Sequence, residues 1–235
     1  MNPTLITAFL RQRLTSPMRL GLIVLMTLFP LGGVAIMGQL SLLSGIAGPI
    51  AFILAAGAVG QDLSSGTLTL LFVRPVTRLE YLLSRWIAAT LGALGLCLFT
   101  YLLATFILLL RGTPPEATAL TQLAIAAIAS TAGSAAIMIM LSTLAGGLGD
   151  VGLWFGSMVV IQMFTVLAQF KQWAWLTRAC GEVQRVLSPE LSFTWAFQHT
   201  PPSWFAIASW ASTVTLALAL ANLRMNRREL SYAVD

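Results

Sequence analysis

The sequence predicts an all-α polytopic membrane protein with six transmembrane helices. Hydrophobic residues make up 57% of the 235 residues and charged residues only 9%, whereas a soluble domain carries roughly a quarter charged residues. No charged side chain occurs between positions 20 and 61, a length sufficient for two passes through hydrocarbon about 30 Å thick. The long Leu, Ala and Ile runs lack the alternation of a transmembrane β-barrel, which leaves helices as the spanning elements.

Residues 1–17 are predicted to form an amphipathic helix at the membrane interface. The apolar residues of one side are Leu5, Ile6, Phe9, Leu10 and Leu14, and the polar residues of the other are Thr4, Thr7, Arg11 and Gln12. Such a helix lies on the membrane with its arginines toward lipid phosphates; a partner protein is the other candidate for these arginines. The early arginines and the missing apolar core argue against a cleavable signal peptide.

Spans 1 and 2 are assigned to residues 18–60, at about 18–38 and 42–60. Pro17 marks the turn into span 1. Inside that span, Pro30 together with Gly32-Gly33 predicts a kink, because proline removes a backbone hydrogen bond. Span 2 is rich in alanine and glycine at four-residue spacing, which favours close contact with neighbouring helices.

The loop at residues 61–85, QDLSSGTLTLLFVRPVTRLEYLLSR, is a charged and amphipathic interruption between spans 2 and 3. Asp62 and Ser64 are helix-start residues ahead of an apolar face, and Pro75 stops a first short helix. Thr77 and Glu80 have the spacing of a capping box, which predicts a second helix that runs into span 3. We therefore expect two helices joined by a hinge, exposed to water.

Spans 3 to 5 are assigned to residues 86–168, at about 86–110, 119–144 and 151–168. The run Gly146-Gly147-Leu148-Gly149-Asp150 is predicted to be a tight turn. It is no phosphate-binding loop, because the chain's one lysine, Lys171, lies elsewhere.

Residues 169–202 combine tryptophans with mixed charges, as in segments at a membrane interface. Ser188-Pro189 divides them into two short interfacial or re-entrant helices. Span 6 follows at 203–223, with a polar tail at 224–235. If the N-terminus is inside, nine basic residues lie inside and four outside, so the positive-inside rule predicts cytoplasmic termini in the cell membrane.

The residues of common catalytic and metal sites are missing from the sequence. His199 and Cys180 lie in predicted loops and Cys97 in a span, with no spacing for zinc or an evident disulfide. We expect no catalytic or metal site, no bound cofactor and no nucleic-acid partner. Without an energy source, the chain is expected to use that of a partner or to act as a scaffold.

The 61–85 loop resembles the permease subunits of ABC-2 type transporters, and the predicted topology resembles that family over nearly the whole chain. The residues of the resemblance are Asp62, Ser65, Gly66, Thr67, Leu68, Leu70, Leu71, Pro75, Val76, Thr77 and Arg78. Many relatives have an acidic residue at the place of Thr69 and Gly-Lys at the place of Ser84-Arg85. The resemblance implies that this loop is a coupling helix docked on a separate ATPase subunit, which holds ATP and Mg²⁺.

Docking would use apolar residues for a groove and charged residues for register. The apolar set is Leu63, Leu70, Leu71 and Phe72, and the charged set is Asp62, Arg74 and Arg78. Gly66 is interpreted as a bend and Thr67 as a local backbone partner, while Pro75 ends the first helix. The alternative is that the loop lies on the membrane, with its leucines in lipid.

By resemblance, the complex contains two permease chains, identical or homologous, and exports its substrate along spans 1, 2 and 5. The apolar spans favour a hydrophobic or amphipathic substrate. Two alternatives remain: an ABC-type complex that does mechanical work on an extracytoplasmic partner bound at 169–202, and a stand-alone membrane scaffold.

Overall fold

A computed structural model describes residues 3–68, 77–191 and 204–227, and those residues are helical apart from turns. The helices are α1 (Pro3–Leu14), α2 (Pro17–Met37), a 3₁₀ helix (Leu40–Leu43), α3 (Ala47–Ala55), α4 (Gly60–Ser64), α5 (Arg78–Leu110), α6 (Ala117–Leu144), α7 (Gly149–Phe170), α8 (Ala174–Leu187) and α9 (Trp204–Arg227). Six segments, with residues 40–64 counted as one, are long and apolar enough to cross a membrane. The predicted all-α class with six spans is confirmed.

Helices α3 and α6 fill the centre of the fold, and α9, which is span 6, packs against α6. α6 contacts α3, α5 and α9, and most of its second half is buried, including Ala135 and Ile139. α2 and α7 are mostly exposed on their flanks. The small residues predicted to favour packing therefore lie where backbones approach closely, and Gly48 is next to Ser130 and Ser134 of α6.

Local sequence signals explain several helix ends. Pro17 occupies the first turn of α2, and Gly38 ends that helix in the left-handed conformation with its N–H bonded to the Val34 carbonyl. Thr77 caps α5 by accepting a hydrogen bond of 3.2 Å from the Glu80 N–H, as the capping-box prediction requires. α2 continues as a helix through Pro30.

The structure corrects three local predictions. Span 2 is not one helix, because it is broken at Ala56–Val59 between α3 and α4. Cys180 lies in helix α8, where its side chain is buried, and not in a loop. α1 packs against α5 and not simply on lipid, although Arg11 is exposed as predicted. The second half of the 169–202 segment, including His199, lies outside the described residues.

Candidate functional site

The break in span 2 leaves backbone N–H and C=O groups without the partners that a continuous helix would provide. Ala56 has a non-helical conformation, with ψ 128°, and Gly57 has φ +64°, a left-handed value that glycine tolerates best. Helical pairing therefore stops for one turn inside a buried region, where unpaired N–H and C=O groups are costly. Other elements of the chain supply the missing partners.

Two arginines from the N-terminal part of the chain bind the carbonyl oxygens of the break. Arg13 donates to Ala56 O at 2.7 Å and to Gly57 O at 3.0 Å. Arg19 donates to Ala56 O at 3.3 Å and to the side-chain oxygen of Gln61 at 3.0 Å. The planar fork of a guanidinium suits this two-carbonyl contact, so α1 and the start of α2 are fastened to span 2.

Arg13 is 5% exposed, contrary to the prediction that the α1 arginines face lipid phosphates or a partner. Burial lowers the pKa of Arg13 to about 9, and the positive charges of Arg19 and Arg85 lower it further while Asp62 opposes the shift. The side chain therefore stays charged at neutral pH. The apolar residues of α1 lie on one side of the helix, as predicted. The buried side also contains Arg13, because the carbonyls of the break lie there.

Residues near the turn between α6 and α7 bind the N–H groups of the break. The Gly57 N–H donates to the Asp150 carboxylate at 2.6 Å, and the Val59 and Gly60 N–H groups donate to the Ser142 hydroxyl at 3.0 and 2.8 Å. Asp150 is fully buried, where a carboxylate needs such donors. The predicted tight turn is present, and it also anchors span 2.

Gly60 lets the backbones of span 2 and the α6–α7 turn touch. Its carbonyl accepts a hydrogen bond of 2.8 Å from the Gly147 N–H. A Cβ atom at position 60 would lie 2.6 Å from the Ala145 carbonyl oxygen and 2.7 Å from that of Gly147. Only glycine fits this contact without moving backbone.

Just beyond the break, Asp62 and Arg85 form a buried ion pair between α4 and α5. The Tyr81 hydroxyl donates to the same carboxylate at 2.6 Å. Arg85 also donates to the Gln12 side-chain oxygen at 3.2 Å, and its guanidinium lies 3.6 Å from the centre of the Phe9 ring. This cluster joins α1, α4 and α5 at the base of the 61–85 loop.

The described part of the loop beyond this base is an exposed tip at residues 64–67, ended by the buried Leu68. Gly66 has φ +69°, as its interpretation as a bend requires. The Thr67 hydroxyl donates to the Asp62 carbonyl at 3.3 Å and pairs with the Ser65 hydroxyl at 2.6 Å, which matches its interpretation as a local backbone partner. The tip is therefore a compact turn held on a buried base.

The other predicted docking residues divide into three groups. Asp62 and Arg78 bind within the chain: Arg78 donates to the Met225 carbonyl near the end of α9. Leu63 is half-buried beside the apolar cluster around Val59 and Tyr81. Leu70, Leu71, Phe72, Arg74 and Pro75 lie outside the described residues.

The comparison with protein families decides the identity of this arrangement. A family model described as "ABC-2 family transporter protein" matches residues 14–229, which include both the break and the loop. The chain belongs to the ABC-2 transporter family. It is therefore a membrane-spanning permease component of an ABC transporter, as the resemblance of the 61–85 loop predicts. No curated protein matches this family member.

Sequence reasoning missed five members of the network in this ABC-2 permease. Arg13, Ser142 and Asp150 lie outside the 61–85 loop, and Tyr81 and Arg85 lie at its end. The sequence contains a signal for Asp150, which is a single carboxylate between a glycine turn and an apolar span. A carboxylate buried there needs a hydrogen-bond donor from another part of the chain. No comparable signal marks Ser142, which stands among many small residues of α6.

Proposed function

We propose that this permease couples ATP hydrolysis on a separate nucleotide-binding subunit to the export of a hydrophobic or amphipathic substrate. The observation that supports the proposal is the exposed tip at 64–67, held on the buried Asp62–Arg85 pair. An exposed turn held on a buried base suits docking of a second protein. Family membership implies an ABC ATPase partner and a second permease chain, identical or homologous.

The contacts of the loop provide a route for movement. A displacement of the tip acts on α4, which the Asp62–Arg85 pair ties to α5. It also acts on the break, which Arg13 ties to α1 and Asp150 ties to α7. Because hydrogen bonds to charged groups are short and directional, movement at one end of α4 would reach α1 and spans 3 and 5 together.

Within this proposal, the residues have two roles. Leu63, Gly66, Thr67, Leu70, Leu71, Phe72, Arg74 and Pro75 form the docking surface. Asp62 and Arg78 act as positioning residues, because both bind other parts of the chain. ATP and Mg²⁺ belong to the partner ATPase, and this chain binds no cofactor of its own.

The proposed location is the cell membrane, with both termini and the 61–85 loop in the cytoplasm. The excess of arginine on that side supports this orientation. An ATPase that uses cytoplasmic ATP must reach the loop from there.

Cross-linking from the tip tests the proposal. Ser64→Cys places a thiol on the exposed tip, while native Cys97 and Cys180 are buried. After treatment of native membranes with a thiol-reactive photo-cross-linker, we expect a cross-linked polypeptide that mass spectrometry identifies by its Walker motifs. Ser41→Cys, exposed at the opposite membrane side, is the matched control. Capture of the ATPase by both variants, or by neither, contradicts the proposal.

The mechanical alternative has one observation in its favour. α8 exposes an apolar strip that contains Trp175, Val183 and Val186, at the opposite side of the membrane from the loop. If replacing these three residues with serine abolishes binding of an extracytoplasmic partner but leaves the ATPase activity of the complex unchanged, the mechanical function is favoured.

A further inference from the structure

A cleft of about 750 Å³ opens at the membrane side opposite the 61–85 loop, which we call the far-side cleft. Its walls are the 3₁₀ helix between spans 1 and 2, the first half of α6, and the end of α8 with the residues after it. This volume lies within the range of sites for small molecules. The deep end is at Ser130, which is 8% exposed and near the middle of α6.

Six of the fourteen residues that line the far-side cleft have uncharged polar side chains. They are Ser41, Ser44, Gln122, Ser130, Gln184 and Ser188. None of these six side chains makes a hydrogen bond within the part of the chain that the structure describes. Ser41, Ser44 and Gln184 are exposed, Gln122 and Ser188 are half-buried, and Ser130 is buried. Hydroxyls and amides both donate and accept hydrogen bonds, so the cleft offers a ligand free donors and acceptors from its mouth to its deep end.

The charges of the far-side cleft are at its mouth. Arg185 is paired with Glu182 at 2.8 Å and both are exposed, while Glu190 is exposed and has no ion pair among the described residues. The two charged residues that line the cleft, Arg185 and Glu190, have opposite signs, so the mouth has no net charge that would select a cation or an anion. A cation at the deep end would lack a buried counter-charge, which is costly in a membrane.

Apolar side chains complete the lining. Leu123 and Ala126 of α6 and Leu191 after α8 lie beside the polar groups. The ligand that matches both surfaces has an uncharged polar head and an apolar part. We propose that the far-side cleft binds an amphiphile whose head group is uncharged and rich in hydroxyl groups. That this ligand is the exported cargo rests on the proposed function; the binding itself does not.

Photolabelling tests the proposal with the full chain in lipid nanodiscs and no ATPase present. The probes are an alkyl glucoside with a diazirine in its chain, and alkyl sulfate and alkyltrimethylammonium probes with the same chain. We expect the glucoside to label peptides that contain residues 119–130 and 181–191 at least fivefold more than either charged probe. Equal or stronger labelling of these peptides by a charged probe overturns the proposal.

Two matched substitutions localise the site. Gln122→Leu and Gln184→Leu each remove one hydrogen-bonding group, and each is expected to lower glucoside labelling by about threefold to tenfold. Gln162→Leu makes the same change on the exposed face of α7 and should leave labelling unchanged. The proposal is wrong if the cleft variants label like the original chain, or if Gln162→Leu causes the same loss.

The outcomes separate the cleft from the proposed function. If labelling depends on Gln122 but the Ser64→Cys variant captures no ATPase, the binding site stands and ATPase coupling is rejected. Capture of the ATPase without selective labelling would reject the site alone.

Discussion

The carboxylate of Asp150 accepts a 2.6 Å hydrogen bond from the backbone N–H of Gly57, 93 residues earlier in the chain. This contact joins the first turn of α7 to the break in span 2. It also places a buried negative charge in a region that contains the buried cations Arg13 and Arg85. The break is thus a junction where spans 2 and 5 and the N-terminal helix are held together, and it lies directly beside the exposed loop tip.

Removing the carboxylate should destabilise the permease. We expect Asp150→Ala to lower the free energy of unfolding by about 2–3 kcal/mol, because it leaves the buried Gly57 N–H unpaired and removes a charge-assisted hydrogen bond. Asp150→Asn should cost less, since its amide oxygen still accepts that bond. Equilibrium unfolding in mixed micelles measures both. Glu116→Ala, at an exposed position, is the control, and an equal loss there would contradict the assignment.

The Asp62–Arg85 pair should show strong coupling in a double-mutant cycle. Each of Asp62→Asn and Arg85→Gln leaves one buried charge without its partner, with an expected loss of about 3–5 kcal/mol. The double variant should lose less than the sum of the two, because no charge is then left unpaired. Unfolding free energies of the four proteins provide the test, and simple additivity would show that the two residues do not interact.

Gly60→Ala should disturb the contact with the α6–α7 turn. Its Cβ atom would overlap backbone oxygens of Ala145 and Gly147, and such overpacking costs about 1–3 kcal/mol. Gly95→Ala is the matched control, since a Cβ at position 95 meets nothing within 4 Å and alanine favours a helix. Thermal unfolding should separate the two variants; a stable Gly60→Ala protein would mean that the turn is not fixed by this contact.

Arg13→Lys should loosen the break although it preserves the positive charge. A lysine ammonium is a point charge and cannot reproduce the planar fork that reaches the carbonyls of Ala56 and Gly57. We expect faster hydrogen exchange in peptides covering residues 56–62, because local opening becomes easier. Arg11→Lys, on the exposed side of α1, should leave exchange unchanged. Identical exchange in both variants would argue against the two-carbonyl contact.

The docking proposal makes a prediction for two leucines outside the described residues. Leu70→Asp or Leu71→Asp should abolish association with the ATPase, because a charge cannot enter an apolar groove without a partner. Membrane insertion, followed by protease accessibility, should remain normal. Thr113→Asp, exposed at the other membrane side, is the control. Normal pull-down of the ATPase by both leucine variants would exclude docking through this face.

The sequence was most informative where one local rule sufficed. Long apolar runs gave the spans, Pro17 and Gly38 bound span 1, and the Thr77–Glu80 spacing identified the start of α5. The motif of the 61–85 loop was enough for the family, which the family model confirms. These features depend only on residues that are close together in the chain, so they can be predicted from one sequence.

The interior of the junction could not be predicted in the same way. Arg13 was placed on the exterior because an arginine in an amphipathic helix is usually solvated, yet it binds carbonyls 43 and 44 residues away. Asp62 was interpreted as an exposed helix-start residue, but it is buried against Arg85. Both assignments depend on a broken helix in span 2, and its alanine-rich sequence does not indicate a break.

The interrupted helix of span 2 also fixes an order of events during synthesis. Residues 57–60 emerge from the ribosome well before Ser142 and Asp150, which bind their N–H groups. Until those two residues are made, the N–H groups of this turn lack their final partners and must stay hydrated or transiently helical. The first three spans therefore cannot reach their final arrangement alone, and a chain cut after residue 110 should be recognised by quality-control proteases as unfinished.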